Sequence, residues 1–162
     1  MKQEQYIVER VPMTREGYET LKKELNQLKT VERSKVIAAI EEARAHGDLS
    51  ENAEYDAAKD RQGFIEGRIG ELEYKLGHAD IIDPDTLSKD RAVFGCRVEL
   101  ENIDTGDNVI YQLVGPDESD IGNGRISISS PLGKAIIGKQ VGEEIVFQAP
   151  GGKRLFELID IH

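Results

Sequence analysis

The sequence predicts an α+β protein in which an antiparallel helical hairpin precedes a small, mostly antiparallel sheet with one short helix. Three observations lead to this prediction. Apolar residues in the first half recur at spacings of three and four, as in amphipathic helices. In the second half they alternate, as in β-strands, with turn residues between the runs. A stretch rich in proline and aspartate separates the halves, so we expect a coiled-coil domain at 1–78, a linker at 79–91 and a second domain at 92–162.

The bulk composition is typical of a soluble protein, and we expect it in the cytoplasm. Of the 162 residues, 38% are hydrophobic, which suits two small cores. No apolar run approaches the roughly 20 residues that cross a bilayer, and no signal-like segment follows Met1. The 31 acidic residues outnumber the 21 basic ones and give a net charge of −10, which disfavours unassisted binding to nucleic acid. Any contact with RNA is therefore expected to depend on a partner macromolecule.

Two helical patterns make up the first half. The first begins at Thr14, a candidate N-cap, and runs to about Ala45. Its apolar stripe is interrupted once by a charged stretch and consists of Leu21, Leu25, Leu28, Val36, Ile37, Ile40 and Ala43. The second pattern alternates gaps of three and four from Tyr55 to Leu76 and ends at Gly77. Two such helices joined by a short turn bury their stripes most simply against each other, as an antiparallel coiled coil.

The C-terminal half predicts five strands and one short helix. The strands are expected at 93–100, 109–114, 125–129, 144–148 and 155–161. After the third strand, Ser130 as N-cap, Pro131 at the first helical position and Gly138 as the stop indicate the helix. This half carries no recognisable catalytic motif, so we assign it a docking role.

Between the helices lies the tip segment, residues 46–53, which carries the carboxylates Asp48 and Glu51. One interpretation is structural: Asp48 caps the second helix and Glu51 occupies its third position, as in a capping box. The other is functional, because carboxylates three residues apart can share a hard cation such as Mg²⁺, weakly unless a partner completes the coordination. The residues alone favour the structural interpretation, although Glu54 and Asp56 add more negative charge than a cap needs.

Common enzyme motifs are absent from the sequence. There is no dinucleotide or P-loop glycine motif, the three histidines show no metal-ligand spacing, and the single cysteine, Cys96, has no base partner nearby. The cations Arg44, Lys59 and Arg61 flank the tip segment. They are interpreted either as ordinary surface charges of the helices or as groups that steer a phosphate backbone.

The stretch Ala43–Tyr55, with Asp-Leu-Ser-Glu-Asn at its centre, resembles the tip signature of the bacterial GreA/GreB transcript cleavage factors. Further similar stretches follow in the family's order along nearly the whole chain, at residues 12–14, 62–64, 66–69, 130–133, 137–139 and 150–152. Within the family the chain is most similar to the GreA type, since its hairpin lacks an extended basic stripe. The resemblance implies an N-terminal coiled coil followed by a domain of FKBP-like fold.

The resemblance also implies a function. In this family the coiled coil enters the secondary channel of RNA polymerase, and the polymerase then cleaves the 3′ end of a backtracked transcript with the help of a second Mg²⁺. The residues at the family's functional positions are Asp48 and Glu51 as the catalytic, metal-assisting pair, Arg44 and Lys59 at the nascent RNA, and Ser130 and Pro131 at the polymerase docking surface. The chain is then expected to be a monomeric cofactor of the polymerase and not itself an enzyme.

Two alternatives stay open at this stage. The family includes inhibitors that occupy the channel without stimulating cleavage, and their tips carry additional acids. The plain Asp-Leu-Ser-Glu sequence favours the cleavage-stimulating type, with Glu54 as an argument against it and with Ser50 standing where lysine is frequent in the family. The second alternative is a folding helper whose sheet and coiled coil bind exposed segments of client proteins.

Overall fold

The computed structural model of the chain describes residues 9–47 and 52–162. A helical hairpin and a mixed sheet dominate two compact units, so the predicted α+β class is confirmed. Of the described residues, the helical unit contains Glu9, Arg10 and Tyr18–Ala79, and the sheet unit combines Val11–Gly17 with Asp80–His162. The predicted first domain, residues 1–78, includes Val11–Gly17, but this segment packs with the C-terminal residues. No helix among the described residues is long and apolar enough to cross a membrane.

The helical hairpin consists of three α-helices. They are α1 at Arg15–Gln27, α2 at Arg33–Ala45 and α3 at Ala53–Gly77, and a π-helical turn at Leu28–Glu32 joins α1 to α2. Val36, Ile65 and Ile69 are buried at the centre of the seam between α2 and α3, and Leu25 and Leu28 pack against them. Burial of this stripe drives the pairing of the helices, because apolar side chains removed from water supply most of the stability of such a seam.

The π-helical turn has a cause that is visible in the sequence. Leu25 and Leu28 lie three residues apart, and Val36, Ile40 and Ala43 resume the pattern of four and three. Val36 lies eight positions after Leu28, whereas a heptad seam needs a spacing of seven positions. A π-helical turn accommodates one extra residue without breaking the helix, so both stretches can face α3.

Ion pairs cross the seam on its exposed flanks. Arg33 Nε lies 2.8 Å from Glu66 Oε1, and Arg68 Nε lies 2.8 Å from Glu24 Oε1. The hydrogen bond from Arg33 lowers the pKa of the Glu66 carboxyl from its ordinary value. Exposed pairs contribute little to stability. The order of the pairs nevertheless fits the antiparallel direction, because Glu24 precedes Arg33 in the chain whereas its partner Arg68 follows Glu66.

The sheet unit contains a five-stranded sheet in the order β5-β4-β3-β7-β6. Its strands are β3 at Arg97–Asn102, β4 at Asn108–Val114, β5 at Arg125–Ser127, β6 at Glu144–Ala149 and β7 at Gly152–Ile161. Neighbouring strands are antiparallel except β4 and β5, which are parallel. A separate two-stranded sheet pairs β1 at Val11–Met13 with β2 at Ala79–Ile81.

The predicted elements of this unit are present, although β5 ends at Ser127 and not at 129, and β7 begins at Gly152 and not at 155. Two further differences concern the start of β3 and the predicted linker. β3 begins at Arg97 and not at 93, because Gly95 adopts a positive φ of 83° in a turn and its N–H donates to the carbonyl of Leu113. β2 lies where a linker was expected, at 79–91. The short helix is confirmed as α4 at Pro131–Ile136. Together the strands and α4 enclose a core that includes fully buried Val98, Leu100, Leu113, Ile136 and Leu158.

A buried carboxylate fixes Val11–Gly17 to the rest of the sheet unit. Glu118, whose side chain is 2% exposed, accepts hydrogen bonds from the backbone N–H and the hydroxyl of Thr14. It also accepts from the Gly115 N–H at 3.2 Å and lies 3.2 Å from Arg125 Nη2. Thr14 caps α1 as well, since its hydroxyl accepts from the N–H of Gly17 at 3.0 Å. The predicted cap is confirmed, and its link to Glu118 is a tertiary contact that local sequence patterns do not reveal.

Candidate functional site

α2 ends directly before the tip segment, and α3 begins at its last residue. α2 ends at Ala45, and Gly47 then adopts a φ of +100° while its N–H donates to the carbonyl of Arg44 at 3.2 Å. A left-handed glycine is a common way to end a helix. Asp48 and Glu51, the predicted catalytic and metal-assisting pair, lie outside the described residues.

Asn52 closes the ends of both helices with one side chain. It is the N-cap of α3, with extended backbone angles, and its Oδ1 accepts the N–H of Tyr55 at 3.1 Å. Its Nδ2 donates to the carbonyl of Ala43 at 2.7 Å, one of the last carbonyls of α2. Unpaired groups at helix ends need such partners. The side chain therefore connects the helix that leads into the tip segment with the helix that leaves it.

The capping interpretation of the two tip carboxylates is wrong. With Asp48 as N-cap and Glu51 at the third position, the helix would begin directly after Asp48. The structure begins α3 at Ala53 and gives the cap to Asn52. The N-cap of α3 is therefore supplied by Asn52, and Asp48 and Glu51 themselves lie outside the described residues.

The predicted RNA-contacting cations lie on the two helices next to the tip segment. The guanidinium of Arg44 is 6.0 Å from the ring centroid of Tyr55, a distance at which a cation is attracted to the ring face. Lys59, one helical turn after Tyr55, is exposed and donates to Gln62 Oε1 at 3.1 Å. Arg61 instead pairs with Glu32 across the seam at 2.8 Å. The structure thus favours ordinary surface pairing for Arg61.

The predicted docking residues start α4. Ser130 Oγ accepts the N–H of Gly133 at 3.1 Å and donates to the carbonyl of Ser127 at 2.6 Å. Pro131 is exposed at the first helical position. A side chain at Gly133 would lie 2.0 Å from the carbonyl oxygen of Ser127, so the close approach of α4 to β5 requires glycine. Ser130 therefore stabilises the turn between β5 and α4, while Pro131 is exposed at the surface of this turn.

An apolar groove of about 520 Å³ lies in the sheet unit and was missed by sequence reasoning. It is lined by Arg91, Ala92, Val93, Phe94, Ile128, Lys134, Ile137 and Gly138. Ile137 is 40% exposed, and Arg91 and Lys134 add positive charge to the apolar lining. Because the lining comes from three separated stretches, no local pattern indicated it. Lys134 lies on α4 three residues after Pro131, so the groove comes within about one helical turn of the predicted docking residues.

Comparison with known proteins identifies both units. The GreA/GreB family described as "Transcription elongation factor, N-terminal" matches residues 11–81, and "Transcription elongation factor, GreA/GreB, C-term" matches residues 87–162. The chain is 54% identical to the transcription elongation factor GreA of Thermodesulfovibrio yellowstonii, over 96% of this chain and 98% of that protein. It is 57% identical to GreA of Ralstonia nicotianae, over 91% and 94% of the respective chains.

Several proteins of known structure are also similar to this chain. GreA factor homolog 1 (Gfh1) of Thermus thermophilus is 31% identical, with a TM-score of 0.44 over 95% of this chain and 99% of that one. The GreA/GreB factor of Nitrosomonas europaea is 19% identical, with a TM-score of 0.42 over 94% and 98%. The helical hairpin matches the N-terminal model of this family and the mixed-sheet unit matches its C-terminal model. Together they define a transcription elongation factor. The chain belongs to the GreA/GreB family.

Proposed function

We propose that this elongation factor stimulates RNA polymerase to cleave backtracked transcripts, with Asp48 and Glu51 as its contribution to the active centre. The observation that carries the proposal is the assignment of the α3 cap to Asn52. Because Asn52 caps this helix, α3 does not need a carboxylate at position 48 as its N-cap. The carboxylate oxygen atoms of Asp48 and Glu51 are the ligands that Mg²⁺ prefers, but two ligands hold this ion weakly. The polymerase is then the enzyme, and this chain completes its metal site as a cofactor.

Four residues in or beside the tip segment have a defined role in this proposal. Asp48 and Glu51 offer oxygen ligands and orient the attacking water. Arg44 and Lys59 attract the phosphate backbone of the nascent RNA near its 3′ end. When bound, the second Mg²⁺ neutralises developing negative charge and makes its bound water more acidic. Since this chain has a net charge of −10, the polymerase must supply most of the affinity for RNA.

The remaining parts of the molecule suit delivery of the tip segment into the secondary channel. α3 has 25 residues, which corresponds to a length of about 37 Å. A hairpin of that length can reach through a channel to a buried active centre. We propose that Ser130 and Pro131, with the apolar groove beside them, dock the sheet unit on the polymerase at the channel entrance.

The decisive experiment adds the protein and Mg²⁺ to a stalled, backtracked elongation complex. Short RNA from the 3′ end should be released, and Asp48→Asn with Glu51→Gln should abolish the release while polymerase binding persists. The matched control is Glu54→Gln with Asp56→Asn, which removes the same charge from the first turn of α3 and should cleave normally.

Two outcomes would reject this function. Polymerase binding by the wild-type protein without RNA release would support the alternative of a channel-blocking inhibitor. Normal cleavage by the Asp48→Asn, Glu51→Gln variant would show that the factor acts through other residues.

A further inference from the structure

The outward face of the sheet brings together three side chains that can bind metal. Glu99 lies on β3, Asp160 near the end of β7, and His162 directly after that strand. Among the described residues they form a group whose ligand atoms all lie within 4.8 Å of one another. Nε2 of His162 is 3.3 Å from Oδ2 of Asp160. An imidazole beside two carboxylates differs from an ordinary acidic patch, because it adds a nitrogen ligand.

The backbone holds these side chains together. Glu99 pairs with Asp160, but Leu100 pairs with Leu158, so β7 contains one extra residue at this point. Such a β-bulge redirects a side chain. The N–H of His162 donates to the carbonyl of Arg97 at 2.8 Å, and the Arg97 N–H donates back at 3.2 Å. The strand pairing thus places a histidine beside carboxylates, although the spacing of the histidines in the sequence indicated no site.

We propose that Glu99, Asp160 and His162 bind one divalent transition metal of the Zn²⁺ class. Zn²⁺ accepts histidine nitrogen and carboxylate oxygen at about 2.0–2.2 Å, with ligand atoms about 3.3 Å apart. Asp160 and His162 have side-chain exposures of 51% and 54%, so small rotations can bring their atoms to that separation. The nitrogen ligand favours Zn²⁺, Ni²⁺ or Cu²⁺ over Mg²⁺.

Neighbouring groups set limits on the affinity. Asn108 Nδ2 lies 3.4 Å from Glu99 Oε1, a weak contact that a metal can displace. Arg97 lies two residues before Glu99 and therefore on the same face of β3. Its positive charge opposes a cation, so Arg97→Gln should strengthen metal binding. A bound ion would link β3 to the end of β7 and raise the unfolding temperature of the protein, as any ligand specific to the folded state does.

The test measures Zn²⁺ binding to the full-length protein by calorimetry, with Co²⁺ absorption as a second readout of the ligand set. The wild-type protein should bind one ion, and excess Mg²⁺ should not compete. His162→Gln and Asp160→Asn should each weaken binding about tenfold or more. The matched control is His78→Gln, which removes another histidine, whose Nδ1 contacts the carbonyl of Tyr74 in the helical unit.

Three results would overturn the site. They are no saturable binding by the wild-type protein, unchanged affinity in His162→Gln, or equal loss of affinity in His78→Gln. Circular dichroism of the metal-free variants checks folding, and we expect no change because both substituted side chains of the site are largely exposed.

Discussion

Asn52 makes two hydrogen bonds that substitutions can separate. Serine keeps an oxygen that can accept the N–H of Tyr55, but it lacks the amide Nδ2 that donates to the carbonyl of Ala43, and its single, shorter hydroxyl does not extend to that position. We expect Asn52→Ser to keep the stability of α3 and to reduce transcript cleavage, because the helix ends beside the tip segment are no longer tied. Asn52→Ala loses both bonds and should lower the free energy of unfolding by about 1 kcal/mol.

Urea unfolding and the cleavage assay, applied to both variants, separate these effects. If Asn52→Ser cleaves as well as the wild-type protein, the bond to the Ala43 carbonyl has no part in positioning the tip segment. Polymerase binding serves as the control, since neither substitution touches the sheet unit.

Gly17 and Gly63 are both helical glycines, but their surroundings predict opposite effects of alanine. A β-carbon at Gly17 would lie 2.1 Å from Glu118 Oε1, and that carboxylate cannot withdraw without losing its bonds to Thr14 and Arg125. Gly17→Ala should therefore lower the free energy of unfolding by roughly 1–3 kcal/mol. At Gly63 nothing lies within 4 Å, so Gly63→Ala should raise it by up to about 1 kcal/mol.

Equilibrium unfolding in urea measures both changes under the same conditions. Stabilisation by Gly17→Ala would mean that the Glu118 carboxylate moves aside at little cost. Such a result would contradict the tight fit assigned to this contact.

At the scale of elements, periodicity predicted the helices well and the strand boundaries less well. The seam of α2 and α3 could be predicted because the apolar residues of each helix recur at helical spacing, as Val36 does with Ile40 and Ile65 with Ile69. The stretch 93–96 is as apolar as a strand, yet Gly95 turns the chain before β3 begins. β2 was missed because Pro84 and the aspartates around it dominate the local pattern. Apolar content alone does not distinguish a strand from a buried turn.

The π-helical turn at Leu28–Glu32 permits a deletion test. Removing Thr30 would place Val36 seven positions after Leu28, which is the spacing of a regular heptad. We expect this deletion to be tolerated and to convert the turn into α-helix. Removing Ala39, in the middle of α2, would instead rotate Ala43 and Ile40 relative to Val36 and should destabilise the hairpin.

Far-UV circular dichroism and thermal unfolding of the two deletions measure the difference. Equal destabilisation by both deletions would show that the extra residue is not what the π-helical turn accommodates.

At the scale of the whole molecule, contacts between distant residues were beyond the reach of sequence patterns. The capping interpretation of Asp48 follows from the preference for acids at a helix start, whereas the N-cap of α3 is Asn52, whose side chain also bonds to the Ala43 carbonyl nine residues earlier in the chain. Glu118 meets Thr14 across 104 positions. The resemblance of the tip signature to a family supplied the function, whereas composition and spacing alone did not.

The membership of Val11–Gly17 in the sheet unit affects how the protein can be divided. Within the described residues the chain passes between the units after Arg10, after Gly17 and after Ala79. A fragment that starts at Asp80 would lack β1 and would leave Glu118 without the two donors of Thr14. Cutting at the linker therefore produces two incomplete pieces. A recombinant C-terminal unit suitable for separate study needs residues 11–17 joined to it, for example by circular permutation.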